Sequence, residues 1–482
     1  MAERRGVGYE QVDADYMEKR QLRSGAAGWV LLAGLGVAYV ISGDFAGWNF
    51  GLAEGGWGGL LIATILMATM YTCMVFALAE LSSTISTAGG GYGFGRRALG
   101  PWGGFLTGTA ILIEYALAPA AIVVFIGGYV ESLGILGIES GWPVYLAFYA
   151  AFVGIHLVGV GEALKLTFVI TAIAVVALVV FVLAMIPDFS TSKLTDIPPD
   201  GSAGSSDFLP FGWAGVWAAF PFAIWFFLAI EGVPLAAEET RDPKRDMPRG
   251  LIAGMMVLLV FAALMLFFAP GGGGSSTIAD SDNPLPAALD QAKGEGSFAS
   301  DFVNWVGLFG LIASFFSIIF AYSRQLFALS RAGYLPRPLS VTSGRKVPFL
   351  ALLIPALVGF LLAAITEDGA TMLNVAVFGA TVSYVLMMLS HIVLRSREPD
   401  LHRPYRTPGG TKTSGVALVL AVLAVVATFL VDTKAAFITL GVYVLAALYF
   451  GLYSRRHLVA SAPEEEFEAI TRAEAELAGS HP

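Results

Sequence analysis

The sequence predicts an all-α polytopic membrane protein of 12 transmembrane helices, built as a five-plus-five inverted repeat in which helices 1 and 6 are broken. Composition is the first observation behind this: apolar residues fill 56% of the 482 positions, charged residues 13%, and mean hydropathy is +0.72. Soluble domains carry about 25% charged residues, and long apolar runs separated by charged patches are what a lipid solvent selects. The number of such runs is the second observation. The third is that the first and sixth runs are each interrupted by glycine beside a carboxylate.

A polar, charged tail over 1–24 precedes the first apolar run, which many others follow, so it reads as a span rather than a cleaved signal peptide. Spans are expected at 26–53, 58–87, 102–133, 142–158 and 164–187, forming a first repeat over 25–187. An outer loop over 188–208 leads to spans at 209–238, 248–270, 300–330, 348–365 and 369–394, a second repeat over 209–394 that contains the outer loop 271–299. A loop from 395, spans at 414–431 and 434–454, and an acidic tail over 456–482 complete the chain. Twelve spans of about 20 residues take up roughly 240 positions, which leaves loops too short for a second folded domain.

The basic residues orient these spans. With the amino terminus inside, 25 of the 28 Lys and Arg fall in inner loops or tails, and only Lys193, Lys293 and Lys434 fall outside. The positive-inside rule then places both termini in the cytoplasm of a cell whose inner membrane holds the protein. The outer loops carry Asp188, Asp196, Asp200, Asp207, Asp280, Asp282, Asp290, Glu295 and Asp301, which read as solvation or as mild enrichment of cations at an entrance.

Several functions are excluded by what these residues are. Cys73 is the only cysteine, so no intrachain disulfide or thiolate metal cluster can form. His156, His391, His402, His457 and His481 show no metal-ligand spacing, and most are expected in loops and interfaces. Gly89-Gly-Gly-Tyr-Gly-Phe-Gly95 follows a membrane helix and lacks the ending of a phosphate loop. No Walker or Ser/His/Asp arrangement is present, no cofactor is implied, and the net charge of −9 offers no surface for nucleic acid. The acidic tail, with Glu464, Glu465, Glu466, Glu468, Glu474 and Glu476, supplies part of that charge.

In hydrocarbon a broken helix survives only where it is buried in protein or lines a wet cavity. Span 1 is broken around Ser42, Gly43, Asp44 and Gly47, and span 6 around Glu231, Gly232 and Pro234. A shift of five spans reverses helix direction, as an inverted repeat requires, and secondary transporters hold substrate between two such helices. Asp44, Glu80, Glu114 and Glu231 lie inside spans, with no Lys or Arg expected at comparable depth. Each costs at least about 2.5 kcal/mol to insert. Either they are protonated, as in a proton relay, or they await a cationic ligand. Asp44 reads equally as the amino-terminal cap of the outer half of span 1, Glu231 as a tie between helices, and Glu80, near the inner end of span 2, as structural.

Ala79-Glu-Leu-Ser-Ser, Ala88-Gly-Gly-Gly-Tyr92, Leu99-Gly100, Trp225 through Glu231, Glu238-Glu239, Asp242-Pro243, Pro248-Arg249-Gly250, Ser323-Arg324, Leu329-Ser330-Arg331 and Gly333-Tyr-Leu-Pro336 resemble the amino acid, polyamine and organocation transporter superfamily. The likeness covers spans 1 to 10 in order. It implies alternating access around a central site between spans 1, 3, 6 and 8. Within the superfamily, Tyr39-Val-Ile-Ser-Gly-Asp-Phe-Ala-Gly-Trp-Asn49 with Glu114-Tyr115 is similar to the bacterial ethanolamine permease branch.

That resemblance implies an importer of ethanolamine or a similar small primary amine, with cationic amino acids or polyamines as the runner-up; a channel and a membrane-embedded enzyme are the other classes weighed. The implied substrate site comprises Ser42, Gly43, Asp44, Phe45, Glu114, Tyr115, Trp225, Phe227, Ala229 and Glu231. Asp44, Glu231 and Glu114 would hold the ammonium, Ser42 or Tyr115 would meet the hydroxyl, and Trp225 resembles an aromatic gate. Amino acid carriers hold a substrate carboxylate on free amides in the first-span break, where this chain has Asp44. Ile41, Gly310, Ala313 and Ser314 match the positions of a Na+ site in sodium-coupled relatives; a proton is the alternative coupling ion. Relatives that use a span 5 lysine for this purpose differ from this chain, whose stretch from Val169 to Val180 has none.

Overall fold

The computed structural model describes residues 7–22, 25, 27–134, 139–158, 160–294, 296–463 and 465–466. Glu295, Glu464, Glu468, Glu474, Glu476, His481 and the first six residues lie outside them. Among the described residues, ten helices are long and apolar enough to cross a membrane, and Trp29–Val40 and Trp142–Val158 are shorter apolar helices. Together they make the twelve-span architecture that the apolar pattern predicts.

Span 1 runs as Trp29–Val40, then a single turn at Ser42–Phe45, then extended backbone at Ala46; helix resumes at Phe50. The same helix continues to Thr84 as span 2, turning sharply at Gly56 (φ 65°, ψ 176°), where a Cβ would lie 2.2 Å from the Pro210 ring. Gly91–Ser132 turns likewise at Gly100, separating a short helix from span 3. Spans 4 and 5 are Trp142–Val158 and Val160–Met185. Span 6 comprises Gly212–Ala218, Phe220–Trp225 and, after a break, the 3-10 segment Ile230–Glu239. Spans 7 to 12 are Pro243–Gly273, Phe298–Arg331, Phe349–Thr366, Gly369–Arg397, Thr411–Val431 and Thr433–Leu452.

Burial separates a core from a lipid-facing ring. In the most apolar stretch of spans 3, 6 and 8, 78% of residues are buried, against 22% in span 12. Spans 3, 6 and 8 therefore form the centre with span 1, and beyond its first turn the exposed side chains of span 12, such as Leu445 and Leu452, are apolar as lipid demands.

Both tails meet at one end of the bundle. Tyr9–Glu10 pairs in parallel with Leu458–Val459, so the chain between them crosses the membrane an even number of times. The acidic tail is not purely solvated: Glu465 is buried and forms an ion pair with Arg96, while Tyr334 donates to it at 3.0 Å. Arg20 of the first tail is also buried, its Nε donating to Ser340 Oγ at 2.8 Å.

One expectation about buried charge needs correction. Glu80 does have cationic partners at its depth, because span 10 and the loop after it fold over span 2. Arg395 donates to it, Arg403 Nε lies 3.0 Å away, and the Thr407 amide donates at 2.7 Å. This gives Glu80 the structural role expected of it. Arg324 lies near the inner end of span 8, buried, where it meets Glu239. Of the histidines, His156 is buried against Phe316 and His391 beside Glu80.

Candidate functional site between the broken helices

The break in span 1 is held in place by its neighbours. The Ser42 amide donates to Ser314 Oγ at 2.9 Å, and that hydroxyl donates onward to Ala38 O at 2.7 Å. A Cβ at Gly43 would stand 2.5 Å from the Trp225 carbonyl oxygen, so the two broken helices cross where only hydrogen fits. Trp225 Nε1 donates to Ala46 O at 2.9 Å, and Tyr129 OH donates to Phe45 O at 3.0 Å. The Phe45 ring packs where any side chain at Gly310 would go. Amides of Asp44, Ala46 and Gly47 also donate within the protein, to Ile41 O, Ser42 O and Asn49 Oδ1.

Span 6 breaks at Ala229, whose φ of 78° is left-handed and unusual for a residue with a Cβ. Such conformations persist where the surroundings enforce them. The turn presents Glu231 to a ring of tyrosines. Tyr115 OH donates to Glu231 Oε1 at 3.1 Å, Tyr384 OH to Oε2 at 3.2 Å, and Tyr71 OH to Tyr384 OH at 2.9 Å. Phe227 packs its ring on Tyr71, with centroids 5.3 Å apart.

Glu114 abuts Glu231 from span 3, fully buried, and neither of its oxygens meets a hydrogen-bond donor. Asp44 is likewise buried with both oxygens unpartnered, but it meets neither glutamate. The three carboxylates predicted at the site therefore divide into a pair and a single group. The outer half of span 1 begins at Phe50, not near Asp44, so Asp44 does not cap it.

A narrow central space lies between Tyr39, Val40, Ser42, Ile122, Trp225 and Ile318. Side chains fill it, and polar contacts tie neighbouring elements together beyond it. Toward the termini, Glu239 pairs with Arg324 at 2.9 Å and Glu238 with Arg331 at 2.6 Å. On the opposite face, Asn49 Nδ2 donates to Ile278 O and Ser281 O at 2.7 and 2.8 Å. Of the Na+ candidates, Ile41 and Ala313 are buried, Gly310 lies under Phe45, and Ser314 has its hydroxyl engaged by backbone at both ends.

Sequence reasoning missed Tyr71 and Tyr384, which complete the shell of Glu231. Lone tyrosines in apolar spans carry no local pattern, and only a buried carboxylate in need of donors marks them. Tyr39 stood within a noted motif but without a role; its buried hydroxyl has no partner, and its ring lies 3.1 Å from where a Gly232 Cβ would be.

The family model of amino acid permeases matches residues 29–452. An uncharacterized transporter of Rhizobium meliloti is 30% identical over 86% of this chain and 89% of its own length. A branched-chain amino acid permease of Bacillus subtilis is 26% identical over 83% of this chain and 86% of its own. A D-serine/D-alanine/glycine transporter of Escherichia coli is 27% identical over 70% and 74%.

Proposed function

The chain belongs to the amino acid permease family, a family of transporters rather than enzymes, and from that premise we propose that it imports ethanolamine or a similar small primary amine. The carrying observation is the uncompensated negative charge at the broken helices. Asp44, Glu114 and Glu231 are buried, and among the described residues no Lys, Arg or His pairs with them. A buried anion needs a proton or a cation, and a primary ammonium is a compact cation with three donors.

The span 1 break supports the same reading. A substrate carboxylate would need free amides there, yet those of Ser42, Asp44, Ala46 and Gly47 already donate to protein acceptors. Asp44 adds a charge that repels carboxylates, so exclusion of amino acids accompanies attraction of amines. In this reading Glu231, with Glu114 beside it, holds the ammonium, and Asp44 adds negative charge in the span 1 break. Ser42 or Tyr115 meets the substrate hydroxyl, with Gly43, Phe45, Phe227 and Ala229 shaping the break, and Trp225 closes over the ligand. Glu114 completes the acidic group. Exchange between inward-open and outward-open forms would carry the ligand across.

The termini face the cytoplasm of a cell whose inner membrane holds the protein, by the positive-inside rule. A proton suits the acidic interior as the coupling ion better than Na+, because Ser314 and Gly310 are already engaged.

The relatives' names favour a second reading, an amino acid carrier, with cationic amino acids or polyamines as its charged variant. Counterflow in proteoliposomes separates these. Labelled ethanolamine should be taken up against internal ethanolamine and inhibited by small primary amines. Counterflow of glycine, alanine or leucine in its place would sink the amine reading, and inhibition by arginine or a polyamine above that by ethanolamine would move the substrate to the charged variant.

A further inference from the structure

Glu231 and Glu114 stand side by side in different circumstances. Both are buried, at 2% and 0% exposure. Glu231 has a tyrosine hydroxyl on each oxygen, whereas Glu114 has none on either. The titratable groups around Glu114 are Glu231 from span 6, Tyr115 from its own span, Tyr71 from span 2, Tyr384 from span 10 and Tyr443 from span 12. None of them is a cation.

Two abutting carboxylates in a dry interior cannot both be ionised without a positive partner, and they resolve this by sharing a proton. The hydroxyl donors decide which of the two keeps the charge: Glu231 is solvated by Tyr115 and Tyr384, and Glu114 is not. A carboxyl O–H on Glu114 finds an acceptor in Glu231, whose oxygens each have a second lone pair.

We infer that Glu114 is a proton-binding site, that the Glu114–Glu231 pair holds one proton when no ligand is bound, and that a cationic ligand at Glu231 displaces it. The displacement rests on the reading of the substrate as an amine; the shared proton does not. The step balances: the pair with its proton carries one negative charge, and binding R–NH3+ while releasing H+ to water leaves both carboxylates ionised around one ammonium, again with one net negative charge. The buried charge is the same before and after, so the protein closes equally well around either form.

The test has two arms on purified protein in lipid nanodiscs. Infrared spectra of the ligand-free protein should show the carbonyl stretch of a buried protonated carboxyl that Glu114→Gln abolishes. Its absence in wild type, or its persistence in the folded variant, overturns the proton site. Glu231→Gln provides a second check, because Glu114 would then lose the neighbour that forces sharing and the band should change in frequency; an unchanged band would assign the proton elsewhere. In the second arm, calorimetric titration with ethanolamine in buffers of different protonation enthalpy should report release of about one proton per amine bound. Binding without release, or with proton uptake, overturns displacement. If ethanolamine does not bind at all, the amine reading fails while the infrared arm still decides the proton site.

Discussion

Glu239 near the end of span 6 and Arg324 of span 8 form an ion pair 2.9 Å apart with both side chains buried. The pair joins a broken helix to a continuous one on the terminal side of the central space. Removing one partner of a buried pair leaves an uncompensated charge, which costs about 3 to 5 kcal/mol. Arg324→Ala should therefore lower the melting temperature of the purified protein markedly. Glu239→Gln, which leaves Arg324 able to hydrogen-bond an amide, should cost less. Equal melts for wild type and Arg324→Ala would remove the pair from the closure of this face.

Asp44 tests specificity. Asp44→Asn keeps the shape of the break and removes the charge, so it should weaken ethanolamine binding and admit glycine or alanine as competitors. Competition binding on folded wild type and variant reads both effects. Ethanolamine affinity equal to wild type, with amino acids still rejected, would leave Asp44 without a part in selection.

Tyr384 tests the shell of Glu231. Tyr384→Phe removes the donor to Oε2 and also the acceptor of Tyr71, while the ring still packs. Hydrogen bonds to charged groups contribute about 1.5 to 3 kcal/mol, so amine affinity should fall about tenfold or more. Tyr71→Phe, one bond further out, should have a smaller effect. The reverse order in titrations of the two variants would disprove the chain from Tyr71 through Tyr384 to Glu231.

Orientation is open to labelling. Ser275, in the loop after span 7, is buried and donates to Leu194 O, whereas Thr277 is exposed. In a Cys73→Ala background, Thr277→Cys should react with an impermeant thiol reagent on intact cells and Ser461→Cys should not. Labelling of Ser461→Cys alone would invert the topology.

The junction of the tails predicts a coupled loss. Arg96 is fully buried and pairs with Glu465, near a parallel strand that joins residues 9–10 to 458–459. Glu465→Gln should loosen both tails together, measured as faster amide hydrogen exchange over residues 9–20 as well as 455–463. Faster exchange confined to the second segment would mean that the first tail is held independently, through Arg20 and through Tyr16, whose hydroxyl donates to Arg331 O at 2.9 Å.

Whatever a lipid solvent enforces locally is legible in the amino-acid order alone. Apolar runs must be helical in hydrocarbon, so their number is legible. A break must be protected, so Ser42 to Gly47 and the stretch around Glu231 and Gly232 stand out in an otherwise apolar text. Ionisable residues inside spans are expensive, so Asp44, Glu114 and Glu231 were visible as candidates. Which of them meet was decided only by packing between helices far apart in the chain. Glu80 finds Arg395 and Arg403, Glu231 finds Tyr115 and Tyr384, and Asp44 is left apart from both glutamates because of how spans 1, 2, 3, 6 and 10 are placed. Hydropathy records how deep a residue lies and not which way its helix is turned, so depth was readable in one dimension while partnership required three.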